Sequence, residues 1–289
     1  INNLLIKFYK KRKSKNVKTI CIGNIYIGGT GKTPTTIKLY EILKNLKFKV
    51  SVGKKFHKSH KDEKEILEKK TNLISMNTRE EIIKNAEQNN EEIVIFDDGL
   101  QEKKVDYNLK FVCFDANNLI GNGLLIPSGP LRENLNSLKR YNAVFIKHDF
   151  KNEIEINFES KIKKINPQIR IFNIYYMPVN LNDFDLSKKF IIFSGIGNPD
   201  SFKNLLQKNN FNIIEENIYP DHFDYTQTNI DKILKRAKQI DAEIVTTEKD
   251  FSKISKLNYG KINYLKIDLK INNEKEFINF LETSINEIY

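Results

Sequence analysis

Gly28-Gly29-Thr30-Gly31-Lys32-Thr33 has the composition of a loop that closes around phosphate. Glycines let successive backbone N–H groups converge on anionic oxygens. A lysine can reach the outer phosphates of a nucleoside triphosphate, and a neighbouring hydroxyl can hold Mg²⁺. The run KTICIG before this loop reads as a strand, and residues 32–46 after it read as a helix. Strand, loop and helix in that order are the setting a phosphate loop requires. The usual pattern, GxxxxGK[ST], begins with a glycine where this chain has Tyr26. A plain glycine-rich turn is the alternative reading.

Asp97-Asp98 ends the apolar run EEIVIF. A carboxylate at the carboxyl end of a buried strand is where phosphoryl-transfer enzymes hold their metal. Asp-Asp-Gly is equally good turn chemistry, so the pair alone leaves both readings open.

The elements that must position these groups alternate along the chain. KFKVSVG, EEIVIFDD, KFVCFDA and NAVFIKH read as strands and 78–89 as a helix, the rhythm of a largely parallel sheet flanked by helices. Residues 116–134, rich in Gly, Pro and Asn, read as a long functional loop. A second series follows: KKFIIFSG, NIIEENIY, AEIVTTE and INYLKIDL as strands, with GNPDSFKNLLQKN as a turn and helix and further helices at 227–240 and 273–286. RIFNIYYMPVN reads as the crossing between the two series. The expected organisation is therefore α/β with two domains, 1–175 carrying the phosphate loop and 176–289 forming a smaller α/β unit.

Of 289 residues, 48 are Lys or Arg and 37 Asp or Glu, giving a net charge of +11. No apolar run reaches the roughly 20 residues of a transmembrane helix. Cys21 and Cys113 sit inside strand-like runs and read as small core residues of a reducing, cytoplasmic protein. Seven basic residues (Lys7, Lys10, Lys11, Arg12, Lys13, Lys15, Lys18) and no acid occupy the first 18 positions, with Leu4, Leu5, Phe8 and Tyr9 at helical spacing among them. A basic amphipathic helix on an anionic membrane surface and a solvated terminus are both compatible with that pattern. No nucleic-acid-binding motif accompanies the charge.

Taken in order, the motifs resemble those of the tetraacyldisaccharide 4′-kinase family. CIGNIYIGGTGKTP is similar to SVGNLTVGGTGKTP, which also lacks the first glycine. DDGLQ resembles DDGFQH, and GNG followed by PSGPLREN resembles GNG…PAGPLREP. SGIGNP, PDH and TTEKD resemble AGIGNP, PDHH and TTEKD; the matches span residues 20–250. The resemblance implies two α/β domains with the active site in the cleft between them. It implies transfer of the γ-phosphate of ATP to the 4′-hydroxyl of the lipid A disaccharide 1-phosphate, on the inner face of the inner membrane, by a monomer that attaches peripherally.

The same resemblance assigns roles. Lys32 reaches the phosphates, while Thr33, Asp97, Asp98 and Glu133 hold Mg²⁺. Arg132 and Arg79 lie near the nucleotide, Arg79 being alternatively a surface residue at a helix start. Asp62, in KDEK where the family has GDEP, is the general base, and His222, from the second domain, orients it on closure. Two departures stand out: Glu102 replaces the histidine of DDGFQH, and Lys54-Lys55-Phe56-His57 replaces RGYG. A P-loop ATPase acting on a partner, or an inactive relative that binds nucleotide or anionic lipid, are the competing readings.

Overall fold

The computed structural model describes residues 14, 16–56, 61–148 and 156–288, with the side chains of residues 61, 62 and 156 outside that description. The basic amphipathic segment expected over residues 3–15 lies outside the described residues, Ser14 aside.

The chain runs β1 (Lys18–Gly23), α1 (Lys32–Asn45), β2 (Val50–Lys55), α2 (Lys61–Lys70), β3 (Leu73–Met76), α3 (Arg79–Gln88), β4 (Ile93–Asp97), β5 (Leu109–Asp115), β6 (Ala143–His148), α4 (Ile156–Ile165) and β7 (Arg170–Pro178). It continues through β8 (Lys189–Ser194), α5 (Pro199–Lys208), β9 (Asn212–Ile218), α6 (Gln227–Ile240), β10 (Ala242–Thr247), α7 (Glu248–Ile254), β11 (Ile262–Leu265), β12 (Ile267–Ile271) and α8 (Glu274–Asn286). Two compact units result. One comprises Ile1–His57, Leu67–Tyr175 and Lys270–Tyr289, and the other Lys58–Ile66 and Tyr176–Leu269.

The sheet of the first unit has the order β12-β7-β6-β5-β1-β4-β2-β3. Its pairs from β7 through β3 are all parallel. Its central strands are continuous apolar runs because both faces are covered, so they lack the alternation of a half-exposed strand. β1, β4 and β5 bury almost every position. α1 buries Thr36, Leu39, Tyr40 and Leu43, the stripe that a 3.6-residue period places on one face. Successive crossovers put the turns after β1, β4 and β5 at the same carboxyl edge, with β4 and β5 on opposite sides of β1. That reversal opens a crevice where ligands of such sheets gather.

The last strand and helix correct the expected boundary. INYLKIDL is two strands, and 270–289 belongs to the first unit, whereas 176–289 was expected to form one domain. At Lys266 the main chain leaves β10 and bonds instead to Val179 N–H and to Asn180 Oδ1, so β11 ends and β12 joins β7. α8 then lays Phe277 against Phe172 at 5.0 Å and Phe145 at 5.3 Å between ring centroids. Burying that aromatic cluster is what returns the C-terminus to the first sheet.

The second unit is a parallel sheet of order β11-β10-β8-β9. β8 is its switch point, since α5 leads to β9 on one side and α6 to β10 on the other.

Candidate active site

The phosphate loop is shaped by its own side chains. Asn24, fully buried at the end of β1, donates to Gly28 O at 3.3 Å and to Thr30 Oγ1 at 3.0 Å, folding the loop back on itself. Gly31 caps α1 with φ 82°, a left-handed conformation that costs glycine nothing. No acid lies in the first turn of α1, so its N–H groups face the loop with no negative charge from that turn. Pro34 is tolerated there because first-turn N–H groups have no helical partner.

Tyr26, at the missing glycine position, forms an antiparallel bridge with Leu131. Ile27 N–H donates to Pro130 O at 2.9 Å, and Arg132 N–H to Ile25 O at 2.7 Å. The segment 125–132 thus clasps the phosphate loop. A bridged, extended residue needs no glycine, which explains the departure at Tyr26 physically.

The two carboxylates that close β4 point to different partners. Asp97, buried, accepts from Thr33 Oγ1 at 3.1 Å, Thr36 Oγ1 at 3.4 Å and Lys54 Nζ at 2.6 Å. Asp98 adopts a left-handed φ of 57°, tolerable for aspartate, and pairs with Arg132 at 3.1 Å and Lys32 at 3.7 Å. Burial raises the Asp98 pKa, but Lys32 and Arg132 outweigh it and hold the carboxyl below its ordinary range. Gly99 follows because a Cβ there would lie 2.6 Å from the Tyr107 hydroxyl.

Arg79, at the start of α3, donates to Asp98 O and pairs with Glu102 at 3.1 Å. It braces the carboxylate turn from its backbone side. Burial pushes Glu102 up, yet backbone N–H groups of Lys103 and Lys104 and the Arg79 charge bring its pKa below the ordinary value. Glu102, where the family has a histidine, is therefore the anchor of Arg79. Glu133 accepts from Gln101 Nε2 at 3.0 Å and from Tyr141 OH at 3.2 Å, and pairs with Arg140. Gln101 also donates to Asn24 O at 2.9 Å, tying the turn after β4 to the phosphate loop.

The structure thus brings together Lys32, Thr33, Asp97, Asp98 and Arg132, with Arg79 and Glu133 one hydrogen-bonded residue away. Asp62 lies in the first turn of α2, within a stretch that groups with the second unit; its side chain is outside the described residues. Domain 1–175 was expected to hold Asp62, and here the structure differs. The boundary between the units falls inside α2, after Ile66.

Lys54 escaped sequence reasoning. Its signal was a cation at the carboxyl end of a strand, and only the order β1-β4-β2 places it against Asp97. A second missed pair, Lys147–Asp115 at 2.8 Å, is set by the β5–β6 register and fixes the start of the 116–134 loop. Burial pushes the Cys113 thiol up to about 12 and that of Cys21 higher, so both are inert core groups.

In the second unit, Asp250 is fully buried at the start of α7 and accepts from Gly195 N–H at 3.0 Å and Thr247 Oγ1 at 2.7 Å. It fastens the SGIGNP turn to TTEKD. His222 takes a left-handed φ of 61°, held by its N–H to Asp221 Oδ1 at 3.0 Å, while Lys249 Nζ pairs with the same oxygen at 2.9 Å. Burial and the Asp250 charge raise the pKa of Tyr225.

Thr33 and Asp97 offer hard oxygen donors in contact with one another, the chemistry Mg²⁺ prefers. Among the described residues no cluster of three or more His, Cys, Asp or Glu forms a cage. The donor set therefore fits a metal completed by phosphate oxygens and water, as Mg²⁺ usually is.

The family model described as tetraacyldisaccharide-1-P 4′-kinase matches residues 2–286. Tetraacyldisaccharide 4′-kinase of Pelagibacter ubique strain HTCC1062 is 43% identical over 283 residues, covering 97% of this chain and 90% of that protein. The Rickettsia felis protein of the same name is 34% identical over 275 residues, covering 89% and 81%. The crystal structure of "apo" form LpxK from Aquifex aeolicus in complex with ATP superposes with TM-score 0.68 at 21% identity, over 98% of this chain and 94% of that one. That last likeness is one of fold.

Proposed function

The chain belongs to the tetraacyldisaccharide-1-P 4′-kinase family, and we propose that the loop at residues 28–33 and the carboxylates closing β4 carry out its phosphoryl transfer. It is an ATP-dependent kinase of lipid A biosynthesis, moving the γ-phosphate of ATP to the 4′-hydroxyl of a tetraacylated disaccharide 1-phosphate. The observation that carries the residue assignment is the convergence of Lys32, Thr33, Asp97, Asp98 and Arg132 at one edge of the sheet.

The N-terminal N–H groups of α1 and the glycine loop bind the phosphates, and Lys32 follows the outer ones. Asp98 holds Lys32 and Arg132 in reach of each other, so two cations stand ready where the transferring phosphoryl develops charge. Thr33 and Asp97, with Asp98 and Glu133 nearby, would hold Mg²⁺, which would supply charge neutralisation there. Arg79 keeps the carboxylate turn rigid through Asp98 O and Glu102.

On the acceptor side, Asp62 takes the proton of the sugar hydroxyl, and His222 orients that carboxylate. The left-handed backbone of His222, held by its N–H to Asp221 Oδ1, supports this, since conformations of that kind persist where a side chain must be aimed. All these groups come from one chain, so a monomer suffices. No described helix is long and apolar enough to cross a membrane. The basic residues between Lys7 and Lys18 support peripheral attachment to the anionic inner face of the inner membrane, where a lipid acceptor is met.

Lys32→Ala tests the assignment. Labelled phosphate from γ-³²P ATP should pass to lipid A disaccharide 1-phosphate with the wild-type chain and not with the variant. Equal labelling by both would remove the loop from the chemistry.

A further inference from the structure

Four large aliphatic side chains stand half in solvent around one turn of the molecule: Ile27 at 50% exposure, Leu124 at 52%, Leu125 at 45% and Ile126 at 51%. Isolated exposed aliphatics are ordinary, but a cluster of this kind marks a surface with a partner. The four belong together through the backbone. Ile27 N–H donates to Pro130 O at 2.9 Å, Leu131 N–H to Leu124 O at 3.1 Å, and Ile126 N–H to Leu131 O at 3.0 Å.

Two further features say what the partner is. The segment from Ala116 to Leu131 contains no charged residue, in a chain where 29% of residues are charged. Many of its backbone N–H groups are also bonded within the loop. Gly121, Gly123 and Gly129 donate to Asn118, Ile120 and Leu125 carbonyls, and Asn122 Oδ1 takes the Leu124 N–H at 3.1 Å. A loop without charge, with aliphatic tips and self-satisfied turns, meets the conditions for contact with hydrocarbon, where an unsatisfied N–H or C=O costs several kcal/mol.

We propose that Leu124, Leu125 and Ile126, with Ile27 beside them, insert into the hydrocarbon edge of a lipid bilayer. The insertion seats the phosphate loop at the membrane surface, separately from the basic N-terminal segment. The proposal rests on the reading of the acceptor as a membrane lipid, but its test needs no acceptor.

The test uses the full chain with Leu125→Cys carrying an environment-sensitive nitrobenzoxadiazole label. Cys21 and Cys113 are fully buried and stay unlabelled. Vesicles of phosphatidylglycerol and phosphatidylcholine, free of acceptor, should shift the label's emission to shorter wavelength and expose it to quenching by doxyl lipids. The same label at Lys232→Cys, on an exposed face of α6, should not respond. Leu124→Gln with Leu125→Gln should lower the vesicle partition constant about tenfold, as expected for losing part of two aliphatic side chains. Its melting temperature should be unchanged.

An unshifted label, or full vesicle binding by the double variant, overturns the proposal. So does a label that responds only to micelles of the acylated acceptor, since the patch would then hold the acceptor's own chains. None of these outcomes bears on whether the chain phosphorylates its acceptor.

Discussion

Lys54→Met removes a charge while keeping most of the side chain's bulk. Lys54 Nζ lies 2.6 Å from Asp97 Oδ2, with the two side chains 8% and 1% exposed. Without the ammonium, Asp97 is left, among the described residues, with the Thr33 and Thr36 hydroxyls at 3.1 and 3.4 Å. Removing one member of a buried ion pair typically costs about 3–5 kcal/mol, because the other charge stays buried and uncompensated. The two hydroxyls place this case near the lower end, about 3 kcal/mol. At roughly 2–4 °C per kcal/mol for a unit of this size, the first unit should melt about 6–12 °C lower. A divalent cation binding Asp97 would replace the lost charge. Mg²⁺ at about a hundred times its dissociation constant should therefore restore about 2.7 kcal/mol to the variant. It should restore much less to the wild type, where Lys54 already occupies the carboxylate. Differential scanning calorimetry with and without Mg²⁺ reads both effects. A variant that melts with the wild type, or that gains no more from Mg²⁺ than the wild type does, would refute the reasoning.

Asp62→Ala should abolish transfer while leaving ATP affinity intact by calorimetry; normal turnover would remove Asp62 from the mechanism. Asp98 titrates below its ordinary value, so the stability its ion pairs give is fully present above the unfolded pKa of about 4 and is lost as pH falls through the folded one. Urea midpoints of wild type and Arg132→Ala should accordingly differ at neutral pH and draw together as pH falls below about 4 toward the folded pKa; a gap undiminished in acid would contradict this. Phe277→Ala should destabilise the first unit by about 3–5 kcal/mol in urea, as deletion of a buried ring does. A loss under about 1 kcal/mol would mean that α8 does not close the sheet's aromatic layer.

The parts legible from sequence were those encoded locally. β1, β4 and β5 announce themselves as apolar runs, and α6 appears at 227–240 as read, because periodicity and turn residues lie within one segment. The phosphate loop and the Asp97-Asp98 end of β4 belong to the same class. What the sequence could not show depends on strand order. Lys54 meets Asp97 only because β2 lies beside β4, and Lys147 meets Asp115 only through the β5–β6 register. Glu102 stands out in the sequence only as a departure from the family's histidine; its pairing with Arg79 depends on where α3 starts. INYLKIDL reads as one strand because nothing within it marks the change of partner at Lys266. That change is made by Asn180, more than eighty residues away in sequence.

The central claim, that this site passes phosphate to a sugar hydroxyl rather than to water, is tested most directly by following the fate of each ATP consumed. Wild-type chain, Mg²⁺, ATP and lipid A disaccharide 1-phosphate in detergent micelles should yield ³¹P resonances of a new 4′-phosphomonoester, with one ester formed per ADP. ADP released with inorganic phosphate and no new ester would contradict the account and identify the chain as an ATPase.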